Sequence, residues 1–265
     1  MKPLLITAAN YALKDYVLQS MASAKSLGYE LLVYDLGGLG VEGSIPFAVN
    51  DESFQKEGYY VLVDNGRWKS RSLFKPSVVK QAMASRPTDF IVWLDADARV
   101  IRPIDNIVGD PGSVPQPEDF TAASYDVGVT SRKMTSEESW RWPNLKNHVF
   151  EKYFKYYMGE LNAGVVFFAP TAAARAFVEQ WEAKTQELQN DQRALNQLIN
   201  PRNEQLMHRD VLIRDYTEGT LRFRTFPAEH YNYCYFPRKP GKGVRIVHFK
   251  GRARMAVHSF NAFDL

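Results

Sequence analysis

The chain has 265 residues, with 33 Lys and Arg against 30 Asp and Glu, a net charge of +3 and a single cysteine, Cys234. Its length suits one large domain or two small ones, and 45% hydrophobic with 24% charged residues excludes a disordered chain. One cysteine excludes an internal disulfide framework and a cysteine-based zinc site, and the apolar runs are too short to span a bilayer.

The first third of the chain predicts alternating strands and helices. Residues 3–8 form an apolar run that predicts a buried first strand rather than a signal peptide, so we expect a cytoplasmic protein. Helical spacing of apolar residues predicts a helix over 13–27 that ends at Gly28, followed by a strand over 31–34. Two strands joined by a helical crossover indicate a parallel pair and an α/β architecture.

Residues 36–94 predict a loop, a short strand, a helix and then a central strand. A turn-rich loop over 36–58 and a strand over 59–63 are predicted first. A helix over 76–85 then precedes the wholly apolar run 90–94, as expected for a central strand covered on both faces.

The rest of the chain mixes loops, strands and two clear helices. Residues 105–119 are rich in Pro and acids and predict a surface loop, and 126–160 carry an unusual load of aromatic residues. Apolar stripes predict a helix after Pro170 and another over 191–199. Further strands are predicted at 120–124, 165–168, 211–214, 221–224 and 244–248.

Asp95 and Asp97 follow the apolar run directly, one residue apart. In open α/β sheets, ligands bind beyond the carboxyl ends of strands, and two adjacent carboxylates there favour a bound cation that neutralises them. Oxygen ligands suit Mg²⁺ or Mn²⁺, which commonly bridge to a substrate diphosphate. The alternative is a strand-end turn with two solvated acids.

The positive charge is concentrated near the C-terminus. Residues 238–254 contain seven cations and no acid, so the rest of the chain is net acidic. Such a segment is either a solvated face or a binding site for an anionic ligand, a phosphorylated small molecule or a nucleic acid. The cations are Arg238, Lys239, Lys242, Arg245, Lys250, Arg252 and Arg254.

Five spaced motifs together resemble GT-A-fold glycosyltransferases of glycosyltransferase family 8, the group of glycogenin and lipopolysaccharide galactosyltransferases. The resemblance extends from about residue 4 to 254 as ordered motifs, not as continuous similarity. The motifs are the first-strand turn Thr7-Ala8-Ala9-Asn10-Tyr11, the pair Asp95-Ala96-Asp97, Asn162-Ala163-Gly164-Val165, Asp191-Gln192 with Ala194-Leu195-Asn196, and His248-Phe249-Lys250-Gly251 with Arg254.

The resemblance implies a Rossmann-like nucleotide-diphospho-sugar transferase fold, with a mixed, mostly parallel central sheet flanked by helices. It implies a metal site for Mn²⁺ or Mg²⁺ formed by Asp95, Asp97 and His248. It implies catalytic roles at the donor sugar for Asn162, Asp191 and Gln192. The donor nucleotide would be bound by Thr7, Ala8, Asn10, Tyr11, Lys75, Asp95, Ala96, Gly251 and Arg254.

Several of these residues have structural alternatives. His248 could be a buried structural histidine, Asp191 a first-turn helix acid, and Tyr11 a core residue instead of a platform for the nucleobase. Arg254 stands where the family usually has Lys, and its forked donors can still bind a diphosphate. Arg193 stands where some members carry a second Asp, which weakens any proposal of a carboxylate nucleophile there.

We therefore expect a single domain over residues 1–265, with 126–160 as an acceptor-side insertion and 238–265 as a basic C-terminal arm. The predicted activity is metal-dependent transfer of a sugar from a nucleotide-diphosphate donor, favoured as a UDP-sugar, to a saccharide, lipid-linked or other hydroxyl acceptor. The family resemblance implies that the transfer retains the anomeric configuration. One alternative is a phage-type enzyme that glycosylates modified DNA bases. Another is a haloacid-dehalogenase-like phosphatase, against which Arg99 and the position of Asp95 far from the N-terminus argue.

Overall fold

A computed structural model of the chain describes residues 2–48, 60–62, 68–108, 125–131, 161–199, 211–216, 219–226, 228–234 and 240–249. Within these ranges the helices are α1 (Lys14–Ser26), α2 (Lys75–Ser85), α3 (Ala172–Leu188), α4 (Asp191–Ile199) and α5 (Ala228–Tyr231). The strands are β1 (Leu4–Ala9), β2 (Leu31–Asp35), β3 (Ile45–Pro46), β4 (Tyr60–Leu62), β5 (Trp68–Ser70), β6 (Ile91–Leu94), β7 (Ala98–Val100), β8 (Val127–Ser131), β9 (Leu161–Phe168), β10 (Val211–Tyr216), β11 (Gly219–Phe226) and β12 (Ile246–His248).

Eight of these strands form one mixed sheet in the order β10-β11-β8-β9-β6-β1-β2-β3. Four of its pairings are parallel, those of β1 with β2, β1 with β6, β2 with β3 and β8 with β11. The other three, β10 with β11, β6 with β9 and β8 with β9, are antiparallel. The predicted α/β class with a mixed, mostly parallel sheet is thus confirmed.

Hydrophobic side chains cover both faces of the sheet, and alternate residues of the central strands point to opposite faces. On one face, Ile6 and Trp93 pack in a cluster with residues of α2, α3 and α4. On the other, Leu5 and Val92 pack with residues of α1 and of the segment after β7, such as Ile104. Because both faces are covered, β6 is apolar at every position, as the run at 90–94 predicts.

The topology brings four strand ends to one edge of the sheet. β1 and β6 are parallel, so their carboxyl ends, near Asn10 and Asp95, lie at the same edge. β9 is antiparallel to β6, so its amino end, with Asn162, lies there as well. β8 is antiparallel to β9 and ends at that edge near Thr130. Polar residues from distant parts of the chain are therefore collected in one place.

Most of the longer elements match the sequence predictions. β1, α1, β2, α2, β6 and α4 lie where predicted, and β9 begins four residues earlier than its predicted strand. Three unpredicted short strands are β3 within the loop at 36–58, β5, and β7 just after Asp97. β8 lies at the start of the predicted insertion at 126–160. The remainder of that segment, 132–160, and the predicted strand at 120–124 lie outside the described residues.

Among the described residues, every helix is too short or too polar to cross a bilayer.

Candidate metal centre and active site

Asp95 and Asp97 lie in the tight turn that joins β6 to β7. The Asp95 amide donates to the Gly164 carbonyl at 2.8 Å, and the Ala98 amide donates back to the Asp95 carbonyl at 2.7 Å. Asp97 is 4% exposed, whereas the Asp95 side chain is 30% exposed. The interpretation of two freely solvated acids is therefore wrong for Asp97, and the turn holds its carboxylate inside the protein.

His248 reaches this turn through a small second sheet. β12 pairs antiparallel with β7, with His248 opposite Ala98, and the Phe249 amide donates to the Asp97 carbonyl at 2.9 Å. The imidazole Nε2 then lies 3.0 Å from Asp97 Oδ1 and 3.7 Å from Asp95 Oδ2. Residues 151 positions apart in sequence thus form one cluster.

Asp95, Asp97 and His248 have the chemistry of a divalent metal site. One ligand atom from each lies within 4.8 Å of the others. The second ring nitrogen of His248, Nδ1, is 2.8 Å from Asn232 Oδ1, so Nε2 is the nitrogen that faces the carboxylates. Two hard oxygens and one imidazole nitrogen fit Mn²⁺ or Mg²⁺, and the predicted ligand set is brought together by the fold.

Lys75, the first residue of α2, forms the buried charged group next to this cluster. Its ammonium donates to Asp95 Oδ1 at 2.8 Å, to Asp191 Oδ2 at 2.8 Å and to the Ala163 carbonyl at 2.7 Å. These three acceptors use all three of its protons. Burial on its own would lower the pKa of Lys75, but the Asp191 and Asp95 carboxylates outweigh burial and hold this pKa above its usual value.

The two oxygens of Asp95 have different surroundings. Oδ1 accepts from Lys75 and, at 3.0 Å, from the indole N–H of Trp93, while Oδ2 faces His248. Burial would raise the pKa of this carboxyl, yet Lys75, His248 and the Trp93 hydrogen bond together hold the pKa well below its usual range. Asp95 therefore stays ionised near neutral pH, with Oδ1 bound by Lys75 and Trp93 and Oδ2 facing His248.

Asn162 and Gly164, at the start of β9, lie beside His248. The Gly164 amide donates to Asn162 Oδ1 at 2.8 Å, and Asn162 is 4% exposed. A Cβ atom at position 164 would clash with Cε1 of His248, so any other residue would displace the imidazole. Glycine at this position is required by the close approach of the histidine ring.

Asp191 and Gln192 begin α4 on the far side of Lys75. Asp191 is 5% exposed, and its carbonyl accepts from the indole N–H of Trp181 at 2.9 Å. Asn196, one turn later, bonds to both backbone groups of Leu161, with distances of 2.7 and 3.0 Å. Asp191 is thus a first-turn helix acid and also a partner of Lys75, so the structural and functional interpretations are compatible.

The predicted nucleotide-binding turn follows β1 at the same edge of the sheet. Thr7 and Asn10 are buried, and Asn10 Oδ1 accepts from the Ala12 amide at 3.2 Å. The Thr7 hydroxyl is buried without a hydrogen-bond partner among the described residues. Tyr11 is 54% exposed, so the interpretation of Tyr11 as a core residue is wrong. Ala8 lies in β1 and Ala96 in the turn between the two aspartates.

Arg245, in the basic C-terminal segment, and Arg102, which contacts that segment, have structural roles. Arg245 donates to the Pro103 carbonyl, and Arg102 donates in return to the carbonyls of Gly241, at 3.1 Å, and Val244. Lys242 is exposed. The predicted diphosphate residues Gly251 and Arg254, and the other cations of this segment, lie outside the described residues.

Sequence reasoning missed three residues that surround the centre, Trp93, Thr130 and Asn232. Trp93 donates to Asp95, and Asn232 joins His248 to the hydroxyl of Thr130, which lies 2.7 Å from Asn232 Nδ2. No local pattern marks an asparagine or threonine as the partner of a histidine far away in sequence. Only the tertiary contacts identify them.

Comparisons with known proteins agree with this geometry. A family model described as nucleotide-diphospho-sugar transferase matches residues 91–255, the segment that contains Asp95, Asp97 and His248. A search of curated proteins found no significant match. The family match supports neither the phosphatase nor the DNA-glycosylating alternative.

Solved glycosyltransferase structures resemble the fold at low sequence identity. One involved in glycosylation of the major capsid of PBCV-1 is 13% identical, with a TM-score of 0.52, and the match covers 97% of this chain and 100% of that one. GlyE of Streptococcus pneumoniae TIGR4 is 14% identical, with a TM-score of 0.46 and coverages of 95% and 56%. An active-site mutant of LgtC is 15% identical, with a TM-score of 0.49 and coverages of 93% and 87%.

Proposed function

Because the chain belongs to the nucleotide-diphospho-sugar transferase family and is a GT-A-fold glycosyltransferase, we propose that it is metal-dependent and transfers a sugar from a UDP-sugar to a hydroxyl acceptor. The observation that carries this proposal is the cluster of Asp95, Asp97 and His248 at the end of a central strand, with ligand atoms within 4.8 Å. Two carboxylates this close together, one of them buried, favour a bound cation that offsets their negative charge.

The metal end of the site would act on the leaving group. Asp95, Asp97 and His248 would hold Mn²⁺ or Mg²⁺, and the ion would supply positive charge that stabilises a diphosphate leaving group. Gly251 and Arg254 follow His248 closely in sequence, and we assign them to the same diphosphate. A glycine permits close approach of the backbone, and an arginine offers forked donors to phosphate oxygens.

The sugar end of the site would be formed by Lys75, Asn162, Asp191 and Gln192. Lys75 lies between Asp95 and Asp191, which supports a role in holding the two carboxylates apart at a fixed distance. We assign Asp191 and Asn162 to the sugar hydroxyls and Gln192 to a position beside the anomeric carbon. We propose retention of configuration, with the leaving phosphate accepting the proton of the acceptor hydroxyl.

The nucleoside end would lie at the turn after β1. The buried Thr7 hydroxyl, Ala8 and Asn10 offer polar and backbone groups, and the exposed ring of Tyr11 offers a stacking surface for the base. We propose a saccharide or lipid-linked acceptor. The aromatic segment 132–160 is our candidate for the acceptor side, as part of a single domain over 1–265.

A donor screen tests this function. We expect UDP-sugars to raise the melting temperature in the presence of Mn²⁺ and not in its absence, more than GDP- or ADP-sugars do.

A variant tests the metal site. Asp97→Ala should abolish metal-dependent donor hydrolysis, because it removes a metal ligand. The control is Asp15→Ala, which removes an exposed carboxylate on α1 and should leave hydrolysis unchanged. The proposal is wrong if no sugar nucleotide stabilises the protein with metal, or if Asp97→Ala hydrolyses the donor at the wild-type rate.

A further inference from the structure

A buried chain of three polar side chains leads away from the metal cluster on the side of His248 opposite the carboxylates. His248, Asn232 and Thr130 are 1%, 2% and 0% exposed. His248 Nδ1 lies 2.8 Å from Asn232 Oδ1, and Asn232 Nδ2 lies 2.7 Å from Thr130 Oγ1. Because water has no access to these atoms, the protein itself determines which ring nitrogen of His248 carries the proton.

The direction of the hydrogen bonds follows from the chemistry of the asparagine amide. The amide nitrogen can only donate, and it donates to the Thr130 hydroxyl. The amide oxygen can only accept, so the bond to His248 requires a proton on Nδ1. With Thr130 accepting, the amide oxygen faces Nδ1 and holds the imidazole proton there. A hydroxyl can also donate, so it is the need of a metal ion for the Nε2 lone pair that favours this orientation of the amide over the turned one.

Backbone hydrogen bonds hold Asn232 in place for this contact. Its own amide donates to the Ala228 carbonyl at 2.8 Å at the end of α5. The next residue, Tyr233, donates to Ile246 at 3.0 Å and accepts from the His248 amide at 2.7 Å. Asn232 and His248 therefore belong to two segments that are bonded to each other. Gly164 confines the ring on another side, because a Cβ there would clash with it.

We propose that Asn232, hydrogen-bonded to Thr130, is a positioning residue that keeps the proton of His248 on Nδ1 and leaves the Nε2 lone pair for the metal ion between Asp95 and Asp97. This inference rests on the proposed metal dependence. With the other tautomer, Nε2–H would donate to Asp97 Oδ1, 3.0 Å away, and would occupy the oxygen that the ion needs. Partners of this kind orient a metal-binding histidine and make it a better ligand.

The test measures the affinity of the full chain for Mn²⁺ alone, by calorimetry or by electron paramagnetic resonance, well below the melting temperature. Asn232→Ala should weaken Mn²⁺ binding about 10- to 100-fold, the usual effect of losing such a partner. Asn232→Asp should restore affinity to within about threefold of wild type, because a carboxylate also accepts from Nδ1 and from the Thr130 hydroxyl. Restoration by the acceptor is not expected from a residue that only fills space.

Two more variants keep the test decisive if Asn232→Ala does not fold. Thr130→Val is nearly isosteric and should weaken Mn²⁺ binding about 3- to 10-fold, because the buried Asn232 amide nitrogen loses its acceptor and the contact with His248 is less firmly held. Asn106→Ala removes another asparagine, whose amide bonds to Tyr231 at 2.6 Å without contacting His248. Its Mn²⁺ affinity should stay within about twofold of wild type.

The outcomes separate the inference from the function on which it rests. If wild type binds Mn²⁺ and either Asn232→Ala, when folded, or Thr130→Val binds it equally well, the positioning role is wrong and the metal site stands. If wild type itself does not bind Mn²⁺, the proposed metal dependence fails, and the inference fails with it.

Discussion

Two lysines of α2 have carboxylate partners at nearly the same distance but in different surroundings. Lys75 lies 2.8 Å from both Asp95 and Asp191 and is 3% exposed. Lys80 lies 2.7 Å from Glu182 and is 48% exposed. The two ion pairs therefore differ mainly in burial. Burial determines how much free energy of unfolding is lost when the lysine is replaced.

Replacing Lys75 should destabilise the protein far more than replacing Lys80. Lys75→Met leaves the buried Asp191 and the partly exposed Asp95 without this counter-charge, and we expect a loss of about 3–5 kcal/mol in the free energy of unfolding. Lys80→Met removes an exposed pair and should cost less than about 1 kcal/mol. Urea denaturation monitored by circular dichroism measures both values. Equal losses in the two variants would contradict the role given to Lys75.

The site residues that the sequence predicts and those that it misses differ in kind. Asp95 and Asp97 follow a recognisable apolar strand, so their place at its end follows from the local pattern. His248 could be identified only from its resemblance to a family motif, because its approach to Asp97 depends on the pairing of β12 with β7. No sequence pattern marks Asn232, since this asparagine acquires its role only from its contact with His248.

At the scale of elements, one side chain joins the two segments that form the sugar end of the site. Asn196 of α4 accepts from the Leu161 amide, donates to the Leu161 carbonyl and also donates to the Gln192 carbonyl at 2.8 Å. It therefore connects the helix that begins with Asp191 to the strand that carries Asn162. A small movement of one element against the other would change the distance between these groups.

Asn196→Ala should reduce turnover as well as stability. Both backbone groups of Leu161 would lose their partner, with an expected cost of about 1–3 kcal/mol. The resulting shift of α4 against β9 should lower kcat by about 10- to 100-fold, because catalytic groups tolerate little displacement. Steady-state kinetics with the donor found in the screen measure this effect. Gln197→Ala, at an exposed position of the same helix, is the control, and an equal fall in its kcat would contradict the prediction.

The elements that sequence analysis missed are short and depend on their neighbours. β3 has two residues and β7 three, too few for any hydrophobic period to appear. β3 exists because β2 lies beside it, and β7 because β12 pairs with it. The long helices and central strands could be predicted because their burial on fixed faces repeats along the sequence.

At the scale of the whole molecule, Tyr29 ties the turn after α1 to the segment that follows β7. Its hydroxyl accepts from the Ile104 amide at 2.7 Å and donates to Asp105 Oδ2 at 3.0 Å. Burial, together with Asp105, raises the pKa of Tyr29 to about 12 from its usual 10.0. The fold thus favours the neutral phenol over the phenolate.

This raised pKa predicts a loss of stability in alkali. The folded pKa lies above the unfolded one, so the contribution of Tyr29 is complete below pH 10 and is lost as the pH rises towards 12. Tyr29→Phe should cost about 1–3 kcal/mol at pH 8, because the Ile104 amide loses its partner. The difference from wild type should shrink by about 1 kcal/mol at about pH 11. Urea denaturation at the two pH values measures it, and a difference that does not change with pH would contradict the assignment.

The long separation between Asp97 and His248 has a consequence for biosynthesis. The ribosome synthesises Asp97 151 residues before His248, the histidine that lies against it. A nascent chain can build β1, β2 and β6 and still lack the third member of the cluster. Competence to bind the ion would therefore arise late, after the segment around residue 248 has emerged and paired with β7. An ion captured then would close a very long loop and so add stability to a chain that has just folded.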